Sequence, residues 1–448
     1  MTTSINLINV KIPFGEELLE GAIHVEDRRI IKIGKEANLP RADRTMNAKG
    51  LIALPGLIDA HVHLRDLQLS YKEDFYTGTC SAAAGGFTTV LDMPNTIPAT
   101  DSSIRLNEKC EHAEKKIVVN VGFHAGLTDK LEEITELARL GAVSFKLNLY
   151  KPTPEIAIED NELMTQLLLK CEDTRRPVTI HAEDREFVER NKAQAKTGKK
   201  PTIEDFLKAH SKEAELLALK RMIDLAKITR ARLHICHLSA VKSLDSIEQA
   251  RRIGLRLTCE TSPHYMFLNE NHLRRLKGIA ITIPPVRDST NSRMLWNAFI
   301  NNRIDIIATD HAPHTEKEKA VDNIWEISPG IPGLETALPL LLTRVNKGQL
   351  RLGRLVRAMS EEPAAIFGLK RKGRLRRYGD ADLTLIDLKA KFKIDSTKFY
   401  SKAKLSPFDG FKCQGKPVKT LVAGKLVMDN GEIVTEKGTG SVLKATGR

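Results

Sequence analysis

The amino-acid sequence predicts an α/β fold, a (β/α)8 TIM-type barrel with a small composite β domain formed by both termini. Two patterns carry that expectation. Apolar segments rich in β-branched residues recur through the middle of the 448-residue chain, each followed by a stretch of helical periodicity, which marks strand-helix units and a parallel sheet. The flanks differ: segments such as Ser4-Ile5-Asn6-Leu7-Ile8-Asn9-Val10 and Thr420-Leu421-Val422-Ala423 alternate in polarity between turn residues, as short antiparallel strands do.

Taken in order, strands are expected near 55–63, 87–93, 117–124, 143–149, 177–182, 232–238, 255–260 and 304–310. The first is entered from the apolar run Leu51 to Ile58 and ends in His61-Val62-His63-Leu64-Arg65. Helices are expected from Tyr71 to Ala84, Ser102 to Lys115, Asp129 to Leu140, Asp160 to Asp173, Ile203 to Ile228, Val241 to Ile253 and Ser289 to Asn302, with two more in 334–368. Eight units over residues 54–370 match a barrel somewhat larger than the usual size of about 250 residues. A doubly wound sheet would place a glycine fingerprint after an early strand, whereas Gly85-Gly86 precedes one. Neither flank has the apolar residues for its own core, so 1–53 and 371–448 are expected to form one β-sandwich domain together.

Composition narrows the class. Hydrophobic content of 41% and charged content of 28% are ordinary for a globular enzyme. No basic and apolar leader and no membrane-length apolar run is seen, so a cytoplasmic protein is expected, without membrane contact. Cysteines at 80, 110, 171, 236, 259 and 413 have no paired spacing, which fits a reducing compartment. The net charge of +13 is spread among 57 acidic residues rather than gathered in an arm, which argues for a solvated surface and against nucleic acid. A positive field would also attract an anionic substrate.

Barrel enzymes place their chemistry at the C-terminal strand ends. Those ends carry His61 and His63, then Lys146, His181, His237 and Asp310. Residues two apart on a strand share a face, so His61 and His63 can reach one ion, and imidazole is a common zinc ligand. One such histidine is more often a structural residue, but six residues at five strand ends supply the ligand set of a binuclear metal centre. His234 lies three residues before His237 and His311 adjoins Asp310, so both are expected to face away. His124 is expected near the site without touching metal, and His264 is ambiguous. An ammonium on Lys146 beside two cations is disfavoured. That lysine is therefore neutral, or altered to a carboxylate-like carbamate, or it snorkels to solvent.

With these residues in view, the chain resembles the cyclic amidohydrolases of the metal-dependent hydrolase superfamily, and among them the dihydroorotases. The matching pieces run nearly the full length: Asp59-Ala60-His61-Val62-His63-Leu64-Arg65, Ala84-Gly85-Gly86-Phe87-Thr88-Thr89, Asp92-Met93-Pro94-Asn95-Thr96, Phe145-Lys146, His181-Ala182-Glu183, Cys236-His237-Leu238-Ser239, Ala308-Thr309-Asp310-His311-Ala312-Pro313-His314 and Pro329-Gly330-Ile331-Pro332-Gly333-Leu334-Glu335-Thr336. The resemblance implies two Zn2+ ions, with His61, His63 and Asp310 on the more buried one and His181 and His237 on the other. Carboxylated Lys146 would bridge them together with a hydroxide. It also implies that Arg65, Asn95, His314 and Arg287 bind substrate, Arg65 through a carboxylate; general acid-base logic makes Asp310 the candidate proton shuttle. The implied reaction is reversible ring opening of dihydroorotate to N-carbamoyl-aspartate. Rival implications are an allantoinase, a dihydropyrimidinase or hydantoinase, and a non-catalytic assembly partner of aspartate carbamoyltransferase. A homodimer, or association with that transferase, is a further expectation. Two features depart from the pattern: Asp66-Leu67-Gln68 replaces the usual Glu-Pro-Gly, and 196–200 reads as an exposed basic loop.

Overall fold

The computed structural model describes residues 4–15, 17–195 and 200–445. The expected basic loop, apart from Lys200, lies outside them. Eight parallel strands form the barrel: β1 (Leu57–Val62), β2 (Phe87–Asp92), β3 (Asn120–Phe123), β4 (Phe145–Asn148), β5 (Val178–His181), β6 (Leu233–Ile235), β7 (Leu257–Thr261) and β8 (Ile306–Ile307). Each is almost wholly buried, as strands covered by helices on the outside and packed side chains within must be. The ring closes where Val62 bridges His311 in parallel and the His63 amide donates to the His311 carbonyl at 2.8 Å. Gly56 permits the turn into β1, since a Cβ there would lie 2.2 Å from Thr88 Oγ1.

The barrel expectation holds, with instructive differences at element ends. Strands β6 and β8 stop well short of 238 and 310. The residues that follow, His237 and Asp310, have φ of +34° and +51°, which a ladder cannot continue. The long helix expected from Ile203 to Ile228 is two, Ile203–Ala209 and Lys212–Thr229, parted at His210. A helix at Arg185–Ala195 has no counterpart among the expected elements; it buries only Val188, so its apolar period is faint. Helices start at side-chain caps such as Asp74, whose carboxylate accepts from the Thr77 amide in a capping box.

Both termini build one nine-stranded sheet. Ile52–Pro55 is its seam: it runs antiparallel to Leu383–Lys393 on one side and pairs in parallel with Ser4–Phe14 on the other. Leu7, Val10, Ile23, Ile30, Leu383, Leu385 and Leu421 pack beneath it, all fully buried. Burial of each such side chain stabilises by about 1.5–3 kcal/mol, so the two ends of the chain hold each other.

The last residues return to the barrel. Val442–Leu443 pairs in parallel with Val121 and Gly122 of β3, while Ala125–Gly126, just beyond β3, pairs with β4. The tail is pinned by the Ala445 amide on the Gly141 carbonyl at 3.0 Å and by Arg176 on the Ala445 carbonyl at 2.6 Å. Among the described residues no helix is long and apolar enough to cross a membrane.

Candidate metal centre and substrate cavity

A cavity of about 350 Å³ opens at the C-terminal ends of the strands, a volume in the usual range for small-molecule sites. His61, His63, Arg65, Asn95, Lys146, His181, His237, Asp310 and His314 all line it. Arg287 is the exception. Its Nε donates to Ser239 Oγ at 3.0 Å, its Nη1 donates to the His210 carbonyl, and Nη2 lies 3.9 Å from Glu215. Its sequence neighbours gave no hint of that engagement, because Glu215 and His210 come from distant helices.

Two groups of donors converge. His61 Nε2 and His63 Nε2 lie 3.4 and 3.3 Å from Asp310 Oδ1, and the three ligand atoms fall within 4.8 Å of one another. Beside them His181 Nδ1 and His237 Nε2 are 3.0 Å apart. What makes these nitrogens converge is the partner of the opposite ring nitrogen. His61 Nδ1 meets Glu260 at 2.5 Å, His63 Nδ1 meets Asn95 Oδ1 at 2.7 Å, and His181 Nε2 meets Glu183 at 2.7 Å. Each acceptor takes the N–H and turns a lone pair inward, the arrangement that orients imidazoles on metals. His237 Nδ1 has no hydrogen-bond partner. Lys146 Nζ sits 3.1 Å from Cys236 Sγ.

Electrostatics favour a cation here. Burial and Lys146 oppose charge on His61, yet Glu260 and Asp310 on either side outweigh them and hold it up at about 10. Burial likewise opposes ionisation of Asp310, but His61 and the hydrogen bond from His63 keep its carboxyl well below the usual range. Burial holds His237 well below its ordinary value, with His181 reinforcing the shift, so its ring is neutral and free to ligate. Nitrogen and carboxylate donors of this kind suit zinc and similar transition ions rather than calcium or magnesium.

The first loop takes an unusual course. Arg65, Asp66 and Leu67 all have left-handed φ, +60°, +49° and +50°, which costs non-glycine residues energy and marks a site held by its surroundings. Asp66 holds it: the carboxylate accepts from the Leu67 amide at 2.6 Å and the Phe75 amide at 2.9 Å, with Lys116 at 3.1 Å. The turn delivers the Arg65 guanidinium, buried to 8% exposure, into the cavity wall beside His314 at 3.1 Å. Among the described residues no carboxylate lies within ion-pair distance of Arg65, and its Nε has no hydrogen-bond partner. His314 is held on its other sides too: Lys72 lies 3.3 Å from Nδ1, and Nε2 lies 2.9 Å from the Pro329 carbonyl.

The remaining histidines support the site from below or behind. His124 contacts Ser144 Oγ at 2.5 Å and the Ala60 carbonyl at 3.0 Å, His234 meets Glu260 at 3.1 Å, and His311 Nδ1 accepts from the Gly333 amide at 3.2 Å. His264 is buried against Tyr265 and does not line the cavity. Sequence reasoning missed Glu260 and Glu183, although both left a signal. Glu260 is an acid within a buried strand, and Glu183 lies two residues from His181.

Comparison with known proteins agrees with this architecture. The chain is 40% identical to the dihydroorotase of Methanothermobacter thermautotrophicus over 93% of each protein. It is 38% identical to the dihydroorotase of Methanosphaera stadtmanae over 90% of this chain and 92% of that one. Among solved structures, the L-hydantoinase (dihydropyrimidinase) from Arthrobacter aurescens superposes with a TM-score of 0.93 at 31% identity, covering 99% of this chain and 100% of that one. Residues 52–427 match the amidohydrolase family, and the chain belongs to that family.

Proposed function

We propose that the protein is a dihydroorotase, interconverting dihydroorotate and N-carbamoyl-aspartate by hydrolysis and closure of a cyclic amide. One observation carries the choice of substrate: a buried arginine with no acid partner shares a cavity with a cluster of metal-ligating side chains. Burying an unpaired cation costs several kcal/mol, so the site is built for an anion that arrives with the ligand. A guanidinium fork matches a carboxylate through two parallel hydrogen bonds. The dihydroorotase relatives support this reading. The hydantoinase likeness supports a second, in which the same centre opens a ring without that carboxylate.

In this reading His61, His63 and Asp310 would hold one Zn2+ and His181 and His237 another, with Lys146, as a carbamate, supplying a further oxygen ligand. When bound, such ions polarise a carbonyl and make water acidic enough to attack near neutral pH. The chain's own residues do the rest. Arg65 takes the substrate carboxylate. Asn95, whose Oδ1 is spent on His63, presents its amide N–H to the ring. Asp310, ionised at rest, accepts the proton of the attacking water and passes it to the departing ring nitrogen, and ring closure retraces that path. Thr282, Ile283, Pro329 and Gly330 wall the cavity around the ring. Residues 54–370 would form the catalytic domain and the two flanks its β-sandwich support. His314 borders the carboxylate site; Arg287 we assign to the framework. A homodimer, or docking on aspartate carbamoyltransferase, fits the reading but does not carry it.

Purified enzyme loaded with zinc in bicarbonate, offered dihydroorotate, hydantoin, dihydrouracil and allantoin, tests the proposal. Dihydroorotate should be turned over best. Turnover confined to the carboxylate-free rings would transfer the chain to the second reading.

A further inference from the structure

The short helix Glu316–Lys319 follows His314 directly and ends on a lysine that is only 4% exposed. Lys319 Nζ donates to three backbone carbonyls, Ile281 at 3.1 Å, Ser328 at 2.9 Å and Gly330 at 2.9 Å. An ammonium has three N–H groups, so its donors and acceptors match in number. Among the described residues no carboxylate stands within ion-pair distance of it. The acceptors lie on the two segments that carry the cavity wall: Ile281 precedes Thr282 and Ile283, while Ser328 and Gly330 flank Pro329. The same segments are joined by the Gly330 amide on the Ile281 carbonyl at 2.9 Å. Gly278 lets the two stretches close in, since a Cβ there would lie 1.9 Å from the Lys319 carbonyl oxygen.

We infer that Lys319 is a positioning residue for recognition of the substrate carboxylate, acting through the wall it clamps rather than by touching the ligand. The connection runs through Pro329. Its carbonyl, held between two carbonyls that Lys319 grips, lies 2.9 Å from His314 Nε2. The same Nε2 lies 3.1 Å from Arg65 Nη2 and Lys72 lies 3.3 Å from Nδ1, so the ring that abuts the guanidinium is seated against this wall. Loosening the wall would let His314 turn and would widen the gap between the two loops. Binding should suffer before chemistry, because none of the metal-ligating residues hangs on this clamp.

The inference rests on the dihydroorotase reading, and the two fail differently. If the wild type leaves dihydroorotate untouched, that reading fails. If the wild type is active, the series Lys319, Lys319→Gln and Lys319→Met decides the inference, with metal content and melting temperature measured alongside. Gln keeps two of the three donors and Met none. KM for dihydroorotate should rise in that order, by about tenfold or more in Met, while kcat stays within about threefold and two metals remain bound. A KM within about twofold of wild type in both variants overturns it, as does a fall in kcat or metal content at constant KM. Should the Met variant not fold, the Gln variant alone decides between these outcomes on the same KM criterion.

Discussion

Arg65→Met separates recognition from stability, because the two effects should have opposite signs. In the free enzyme Arg65 is 8% exposed and has no ion-pair partner among the described residues, so its desolvation is offset only by the longer-range attraction of Asp310, Asp92 and Glu318. An unbranched apolar side chain of similar length removes that cost, and the fold should be as stable or more stable, on the order of 1 kcal/mol. With substrate bound, the variant loses two charge-assisted hydrogen bonds, each worth about 1.5–3 kcal/mol, for a loss of about 3–6 kcal/mol. At 1.4 kcal/mol per factor of ten, KM for dihydroorotate should rise by about 10²–10⁴. Arg65→Lys should recover little of it, since an ammonium cannot form the paired contact. Steady-state ring opening and closure by NMR, with thermal melts of both variants, gives the answer. A KM within about threefold of wild type, or a melting temperature that falls in step with activity, would show that Arg65 holds the loop together instead.

Other outcomes follow from the same geometry. Lys146→Met should bind fewer than two metals per chain by elemental analysis and lose at least about 10³ in turnover, as expected when a bridging ligand is removed. Asn95→Leu leaves His63 Nδ1 without its acceptor, so metal affinity should drop about 10–100-fold in a chelator competition. Burial pushes the Glu335 carboxyl up to about 7, against hydrogen bonds from the Ser401 and Tyr400 amides. Its folded value exceeds the unfolded one, so the native state binds more protons between about 4.5 and 7, and stability declines as pH rises through that window. Glu335→Gln should therefore gain up to about 3 kcal/mol at pH 8 and nothing below about pH 4.5, read from denaturant melts.

The barrel was legible because buried parallel strands write themselves as apolar, β-branched runs, and the candidate ligands because they close five of those runs. Less legible were the strand ends themselves. Nothing in Cys236-His237-Leu238 or Thr309-Asp310-His311 announces a left-handed residue, since positive φ on a histidine or aspartate is imposed by tertiary contacts. The partners that aim the imidazoles were hidden for a related reason. Asn95 reads as a substrate group, yet its Oδ1 is spent on His63, and Glu260 reaches His61 across 199 residues of sequence. Arg287 shows the converse, a motif position whose Nε the fold ties to Ser239. Lys319 left no trace at all, because its three acceptors are backbone carbonyls and carry no residue type.

The strand Val442–Leu443 has a consequence for how this protein is made. It occupies the edge of β3 at Val121 and Gly122, in a strand completed some 300 residues earlier in synthesis. A nascent chain can form most of the barrel on the ribosome, with β3 already tied to β4 by the Val143 amide on the Phe123 carbonyl, but the Val121–Gly122 edge stays uncovered until residues 442–443 emerge. A chain cut short by a premature stop would display the unpaired edge of β3, an invitation to aggregation and a mark that proteases and chaperones can read.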